Sequence, residues 1–319
     1  MKGFTFVVFI LIIILLIPSC HKESGIDYRQ EMRVFVVAIS REAKSKRPDF
    51  AIIVQNGVEI ISITDDPNEK IASEYISAID GQGQEDLFFG YAKDDKATPS
   101  SVSEYLKPYL ARLKNEGKVV FVTDYCFSEE NIESSQQLNS SNGFVSFQAT
   151  SRNLDVIPAT GIQNENADTV CNLREVKNFL YIIDPEKYAT KQQFIDAVCG
   201  TNYDMVIMDL FFDGLEFTSD EIARLRVKKN GGKRMVGAYM SIGEAEDYRY
   251  YWDNSWKKGN PSWLDRENPR WKGNYKVRYW NREWQDIIFG NRDSYLSRII
   301  DAGFDGVYLD IIDAFEFYE

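Results

Sequence analysis

The chain has 319 residues, of which 44% are hydrophobic, so it is not a disordered protein and can bury a large core. Its 49 acidic and 37 basic residues give a formal charge of −12, which argues against nucleic acid as a main partner. The single histidine, His21, lies near the N-terminus, so a domain that begins after it has no imidazole for a catalytic triad or a histidine-ligated metal.

The first twenty residues predict an export signal. A basic start precedes an apolar run over residues 4–17, and Ile17-Pro18-Ser19-Cys20 resembles a bacterial lipobox. We therefore expect a signal peptide over residues 1–19 and a lipidated Cys20 that opens a tether over residues 20–30. The alternative is an uncleaved transmembrane helix, but the apolar run is shorter than the roughly 20 residues that a span needs. The expected product is a lipoprotein anchored in a bacterial membrane, at the outer membrane or cell surface, with a periplasm-facing position also open.

Residues 31–319 are expected to form a single domain that opens with a helix. Apolar residues with helical spacing run from Met32 to Ala43, and Pro48 ends the helix. Short apolar segments bounded by Gly, Asp or Asn then predict strands of a covered parallel sheet. There are eight of them: Phe50–Val54, Leu87–Tyr91, Val119–Thr123, Phe179–Ile183, Met205–Met208, Met235–Met240, Val277–Trp280 and Val307–Leu309.

Helical segments separate these strands. A capping box at Ser101–Glu104 predicts one helix start, with a kink at Pro108. Thr190 and Thr218 begin two further helices, and a last helix is expected from about residue 286 to residue 302. A ninth strand-like segment, Phe144–Gln148, is assigned instead to a polar surface excursion over residues 143–178.

Eight strands alternating with helices predict an α/β protein with a (β/α)₈ TIM barrel, in preference to an open doubly wound sheet. The domain starts with a helix and ends just after a strand. In a closed barrel the first helix can cover the last strand, so we expect the two chain ends to lie side by side.

Carboxylates are concentrated where the predicted strands end, which is the face that carries the active site in such barrels. Any one of them could simply cap a helix. Crowded acids raise one another's pKa, so one carboxyl can stay protonated beside an ionised one. Paired carboxylates without histidine are what glycoside hydrolysis uses, and nearby rings such as Tyr239 and Trp280 suit sugar faces or ordinary packing.

No phosphate loop is present, so no cofactor is expected; an Mg²⁺ or Ca²⁺ site on the acids is a less favoured alternative.

Several segments resemble the endo-α-1,4-polygalactosaminidase group, glycoside hydrolase family 114 and its bacterial relatives. They are Tyr239–Arg249, Gly303–Asp310, Ile53–Gly57, Glu85–Phe89 and Val120–Tyr125. The resemblance implies an extracellular (β/α)₈ enzyme that cuts galactosamine-rich polymers, with Asp310 and Glu85 as its catalytic pair. It implies substrate-binding roles for Asn56, Asp124, Asp209, Glu244, Glu246 and Arg249. The segments stand in a different order from the family's, with the Gly303–Asp310 segment last, which indicates a circular permutation.

The sequence therefore predicts a lipoprotein that hydrolyses an amino-sugar-containing polysaccharide, with a galactosamine-rich polymer favoured. The alternatives are a non-catalytic glycan-binding lipoprotein on the same barrel and a metal-dependent hydrolase. Geometry distinguishes the glycoside hydrolase from the non-catalytic glycan-binding lipoprotein. Catalysis by the pair requires Asp310 and Glu85 to lie at the same end of the barrel, close to one another.

Overall fold

The computed structural model describes residues 25–64 and 66–319. The predicted signal peptide, Cys20 and the first part of the predicted tether lie outside these residues. Helix α1 begins at Tyr28, inside the stretch assigned to the tether, and the Asp27 carboxylate caps it by accepting from the Gln30 amide at 2.9 Å. Over the described residues, no helix combines the length and the apolar character that a membrane span requires.

The described part of the chain contains both strands and helices. In chain order the strands are β1 (Ala51–Gln55), β2 (Gly81–Glu85), β3 (Val119–Tyr125), β4 (Val145–Ala149), β5 (Phe179–Tyr181), β6 (Met205–Met208), β7 (Phe211–Phe212), β8 (Leu215–Glu216), β9 (Met235–Ser241), β10 (Glu244–Glu246), β11 (Leu264–Glu267), β12 (Asn274–Val277) and β13 (Gly306–Asp310). The helices are α1 (Tyr28–Lys46), α2 (Ser73–Ala78), α3 (Ser100–Asn115), α4 (Glu129–Asn142), α5 (Lys191–Cys199), α6 (Ser219–Leu225), α7 (Arg282–Ile288), α8 (Tyr295–Ala302) and α9 (Phe315–Tyr318).

Eight parallel strands form a nearly closed barrel. They are hydrogen-bonded in the order β4, β3, β2, β1, β13, β9, β6, β5. The two outer strands face each other across the remaining gap, where the rings of Phe147 and Phe179 lie 5.7 Å apart. Rings from strands that are distant in the sheet also meet inside it, as Tyr181 and Tyr308 do at 5.1 Å. The predicted (β/α)₈ TIM barrel is confirmed.

The strand order runs continuously from β5 to β13 and then from β1 to β4. Helix α1 and helix α9 lie next to each other, and Arg29 Nε pairs with Glu319 Oε1 at 2.8 Å. The residues at both ends of the described chain are therefore adjacent, as expected from the sequence. The circular permutation itself stays a prediction.

Three of the strand predictions are wrong. The second barrel strand is Gly81–Glu85, not Leu87–Tyr91. Its sequence, GQGQE, has no apolar side chain and so gives no hydrophobic signal. Phe144–Gln148 was assigned to the surface, but β4 pairs with β3 inside the barrel. The segment Val277–Trp280 is not a barrel strand, because β12 pairs antiparallel with β10 and β11 in a separate small sheet.

Helix starts were predicted with mixed success. Thr190 and Thr218 do cap α5 and α6, accepting from the backbone amides three residues later. The capping box at Ser101–Glu104 is wrong, since α3 starts at Ser100 after Pro99 and has no side-chain cap; the helix continues through Pro108. The expected last helix is divided into α7 and α8, with Gly290 between them at φ 93°.

Candidate active site

Glu85 and Asp310 lie at the same end of the barrel. They are the last residues of β2 and β13, the two strands that flank β1. The last residue of β1, Gln55, connects them: its Nε2 atom lies 2.9 Å from Glu85 Oε2 and 3.1 Å from Asp310 Oδ1. The two oxygens are therefore no more than about 6 Å apart, the sum of those distances. As whole residues, Glu85 and Asp310 are half-buried.

Neutral donors surround the Glu85 carboxylate. The buried Tyr125 hydroxyl donates to Oε1, and the Asn56 side-chain amide donates to Oε2 at 3.3 Å, beside the Gln55 amide. Asn56 also accepts from the Glu85 backbone N–H at 3.0 Å. Asn56 holds this position with a left-handed backbone, φ 57°, which is uncommon for a residue other than glycine. Such strain is kept where the surrounding structure fixes a functional group, and here it orients Glu85.

Asp310 is held in the same manner. The Tyr239 hydroxyl donates to Oδ2 at 2.8 Å, and the backbone N–H of Ile311 donates to Oδ1 at 2.8 Å. Ile311 also has a left-handed backbone, φ 62°, although it is β-branched. The chain therefore turns sharply just after the carboxylate, which fixes Asp310 at the barrel mouth.

Both members of the pair are harder to ionise than ordinary carboxyls. Burial raises the pKa of Asp310 to about 8, with the negative charge of Glu85 as the next cause. Burial also raises the pKa of Glu85, against the effect of the Tyr125 hydrogen bond. Because the two sites are coupled, the protons belong to the pair, which retains at least one of them near neutral pH. An acid that is still protonated beside a potential base or nucleophile is the arrangement that glycoside hydrolysis needs.

A second group of acids shares one arginine. Arg249 forms a two-pronged ion pair with Asp209, at 2.8 and 2.7 Å, and its Nε atom lies 2.5 Å from Glu246 Oε2. The Tyr248 hydroxyl donates to the other Glu246 oxygen at 2.6 Å. Arg249 and Glu246 are buried and Asp209 is half-buried. Each of these acids is thus paired with an arginine, unlike Glu85 and Asp310.

The model of glycoside-hydrolase family GH114 matches residues 185–318. This segment is thus similar to glycoside-hydrolase family GH114. The resemblance predicted from the sequence is therefore confirmed over this part of the chain. The GH114 segment contains Asp310 together with Tyr239 and the Asp209–Arg249–Glu246 group, whereas Glu85 lies outside the matched residues.

Three uncharacterized proteins are similar to parts of this chain. MJ1477 of Methanocaldococcus jannaschii is 41% identical over 179 residues, which cover 55% of this chain and 49% of that protein. A protein of Thermotoga maritima is 42% identical over 121 residues, covering 38% and 36%. A protein of Deinococcus radiodurans is 42% identical over 125 residues, covering 39% and 38%. The chain thus spans about half the length of these relatives or less.

Two other sequence-predicted residues of the GH114 segment lie in different surroundings. Glu244 is buried and pairs with Lys276 at 2.6 Å, while the Asn268 amide donates to the same oxygen, Oε1, at 2.9 Å. Trp280 packs in an aromatic cluster, with ring centroids 5.0 Å from Tyr28 and 4.7 Å from Tyr318. Within the described part of the chain, neither Glu244 nor Trp280 forms a hydrogen bond with the carboxylate of Glu85 or Asp310. Their substrate-binding roles therefore stay predictions.

Asp124, outside the GH114 segment, is fully buried. Its Oδ1 atom accepts from the backbone amides of Phe88 and Phe89 at 2.8 and 3.1 Å. Its Oδ2 atom accepts from Ser135 at 2.7 Å and from Asn139 at 3.0 Å. A substrate would have to displace these donors. In the structure Asp124 anchors the loop after β2 to α4.

The sequence assigns no role to Gln55, which links the pair, and suggests for Tyr125 only an aromatic surface for a sugar, whereas in the structure Tyr125 donates to Glu85. Gln55 comes one residue after a predicted strand and Tyr125 two residues after another, so their position at the barrel mouth could be predicted from the sequence. What could not be read is the register that places β1 between β2 and β13, because strand pairing depends on tertiary structure.

Over residues 25–64 and 66–319, no group of three or more His, Cys, Asp or Glu side chains is arranged to hold a metal ion.

Proposed function

We propose that this protein hydrolyses a glycosidic bond with Glu85 and Asp310 as its carboxyl pair. The GH114 match supports a glycoside hydrolase. The observation that carries the proposal is the position of the pair: two acids from separate strands, linked by the Gln55 amide, at the strand ends where barrels of this type perform catalysis.

The separation of the pair favours retention of configuration. Retaining enzymes place their carboxyl groups roughly 5–5.5 Å apart and inverting enzymes roughly 6.5–9.5 Å apart. One oxygen of each carboxyl, Glu85 Oε2 and Asp310 Oδ1, lies within about 6 Å of the other, so we propose the retaining route. In the retaining route one carboxylate attacks the anomeric carbon while the other carboxyl protonates the departing oxygen. The second group then takes a proton from water, which attacks the glycosyl-enzyme ester and frees the first carboxylate.

We propose an amino-sugar-containing polysaccharide as the substrate, with a galactosamine-rich polymer favoured. The chain carries a formal charge of −12, so a partly deacetylated and therefore cationic polymer is attracted to it. Salt screens attraction of this kind, so KM should rise with ionic strength for deacetylated oligomers and change less for acetylated ones.

We further propose that the protein is a lipoprotein attached through Cys20 at the outer membrane or cell surface. This rests on the basic start, the apolar run and the Ile17-Pro18-Ser19-Cys20 segment. The full chain should partition with membranes, and Cys20→Ala should release it into the aqueous fraction. Equal partitioning of the two proteins contradicts the anchor.

The test of the enzymatic proposal is a screen with galactosamine and glucosamine oligomers, acetylated and deacetylated, in which mass spectrometry detects cleavage. For a cleaved oligomer, ¹H NMR of the first product identifies its anomer, and we expect the substrate's own configuration. Binding without cleavage would support the non-catalytic glycan-binding alternative. Cleavage that a chelator abolishes and a divalent cation restores would support the metal-dependent alternative.

A further inference from the structure

Arg152 joins two parts of the barrel mouth. It lies after β4, and its Nη1 and Nη2 atoms donate to Asp86 Oδ2 and Oδ1 at 3.2 and 3.0 Å. Its Nε atom donates to Asp94 Oδ1 at 2.7 Å, and Nη2 also reaches the Gly90 carbonyl oxygen at 2.9 Å. The guanidinium is thus held by three residues of the loop that follows β2.

The same guanidinium stacks on Tyr125. The Arg152 Cζ atom lies 3.9 Å from the centre of the Tyr125 ring, a distance at which a cation is attracted to an aromatic face. Tyr125 donates its hydroxyl proton to Glu85 Oε1, and Asp86 follows Glu85 directly in the chain. Arg152 therefore contacts a hydrogen-bond partner of Glu85 on one side and its chain neighbour on the other.

The loop backbone is shaped around this ion pair. Gly90 has φ 116°, and a Cβ atom there would overlap Asp86 Oδ1 and lie 3.0 Å from Arg152 Nη2. Asp86 itself has a left-handed backbone, φ 55°, and its N–H donates to the Thr123 carbonyl oxygen at 2.9 Å. Strain at Asp86 is tolerated because the bidentate contact with Arg152 and the bond to β3 fix it.

We propose that Arg152 is a positioning residue for Glu85, holding its carboxylate through Tyr125 and Asp86. Burial raises the pKa of Glu85, and the positive charge of Arg152 opposes that rise. Arg152 thus has two effects on Glu85: it fixes the orientation of the donor on Oε1, and it favours the ionised carboxylate. The kinetic part of this inference rests on the proposed function.

The kinetic test compares Arg152→Gln and Arg152→Lys with the original protein. Because a displacement of about 1 Å in a catalytic group can cost about a hundredfold, we expect kcat to fall about 10- to 100-fold in Arg152→Gln, with KM nearly unchanged. Arg152→Lys keeps the charge but loses the planar two-pronged contact, so its kcat should be intermediate. Arg224→Gln is the matched control, because Arg224 forms an exposed pair with Asp196 on the barrel exterior.

A double-variant cycle tests the route through Tyr125. If Arg152 acts through the phenol, Arg152→Gln should have a smaller effect on kcat in a Tyr125→Phe background than in the original protein. Equal effects in both backgrounds would contradict this route. A rise in KM with unchanged kcat would overturn the proposal, because it would identify Arg152 as a substrate contact.

A readout that needs no substrate separates this proposal from the proposed function. Carboxyl ¹³C NMR can follow the titration of Glu85, whose signal is identified by its loss in Glu85→Gln. We expect Glu85 to titrate at higher pH in Arg152→Gln than in the original protein or in Arg224→Gln. An unchanged titration with only a lower melting temperature would show a purely structural role and overturn the proposal, whether or not any glycan is cleaved.

Discussion

In β2 and β13, acids stand at both ends of the strand. Asp80 and Asp305 come just before the two strands, and both are paired with cations: Lys44 lies 2.9 Å from Asp80, and Arg226 lies 2.7 Å from Asp305. Each also accepts a backbone N–H of a neighbouring strand at 2.9 Å. At this end of the barrel the acids tie strands together and their charge is compensated.

The opposite ends of the same strands carry Glu85 and Asp310, which accept from amides and phenols and from no lysine or arginine within the described residues. Asp209, also at the mouth, is compensated by Arg249, so position at the mouth alone does not explain the difference. A paired acid contributes to stability, whereas an uncompensated pair keeps a raised pKa at some cost in stability. The contrast separates the acids that hold the barrel together from the two that we assign to catalysis.

The largest expected effect follows from exchanging one acid at each end of β13. Asp310→Asn should lower kcat by about a thousandfold or more while the protein stays folded, because a carboxyl that transfers a proton or attacks the substrate cannot be replaced by an amide. Asp305→Asn should leave kcat within about twofold and lower the melting temperature. Turnover of the oligomer found in the glycan screen, with circular dichroism for folding, measures both. Near-normal activity in Asp310→Asn would refute its catalytic assignment.

The next largest effect is a loss of stability, which we expect on replacing Asp204, the residue that precedes β6. Its Oδ1 atom lies 2.5 Å from Lys228 Nζ, and both side chains are fully buried. Asp204→Asn leaves the lysine charge buried without its partner, so we expect a loss of about 3–5 kcal/mol in the free energy of unfolding. Asp196→Asn, which breaks an exposed pair with Arg224, should cost less than about 1 kcal/mol. Urea denaturation of the two variants gives the comparison, and equal losses would contradict it.

A smaller loss of stability is expected from a substitution at Gly83, midway along β2. A Cβ atom at Gly83 would overlap the hydroxyl of Tyr308, which reaches across the barrel interior from β13. Gly83→Ala should therefore destabilise the protein by about 1–3 kcal/mol through overpacking. Gly161→Ala is the control, since nothing lies within 4 Å of a Cβ atom there. Equal stability of the two variants would show that Tyr308 moves aside without cost.

Gly83 also shows what the sequence could and could not predict. Strands such as β6, β9 and β13 were predictable, because apolar residues fill both of their faces. The interior space at β2 is filled by Tyr308 of another strand, so β2 itself carries glycine and glutamine and gives no hydrophobic signal. Only tertiary packing reveals it.

The residues of the candidate site also differ in whether the sequence could predict them. Asp310 was predictable because it ends an apolar strand within a recognisable motif, and Glu85 was assigned by resemblance even though its strand was misplaced. Gln55 and Arg152 could not be assigned, because their contacts with Glu85, Asp310 and Asp86 depend on which strands and loops become neighbours.

The last comparison tests the cost of leaving the pair uncompensated. Burial raises the pKa of Asp310 from 3.8 to about 8, so between these values the folded protein binds more protons than the unfolded chain. The free energy of unfolding therefore falls as pH rises from about 4 to about 8, and Asp310→Asn removes that loss. The variant should melt at the same temperature as the original protein near pH 4 and at a higher temperature near pH 8. At the other end of the strand, Asp305→Asn should melt lower than the original protein at both pH values, because its carboxylate is paired with Arg226. A scan of melting temperature against pH for the three proteins decides between the two ends of β13. If Asp310→Asn is the less stable protein at pH 8, Asp310 contributes to stability as Asp305 does, and the contrast between the two ends of the barrel fails.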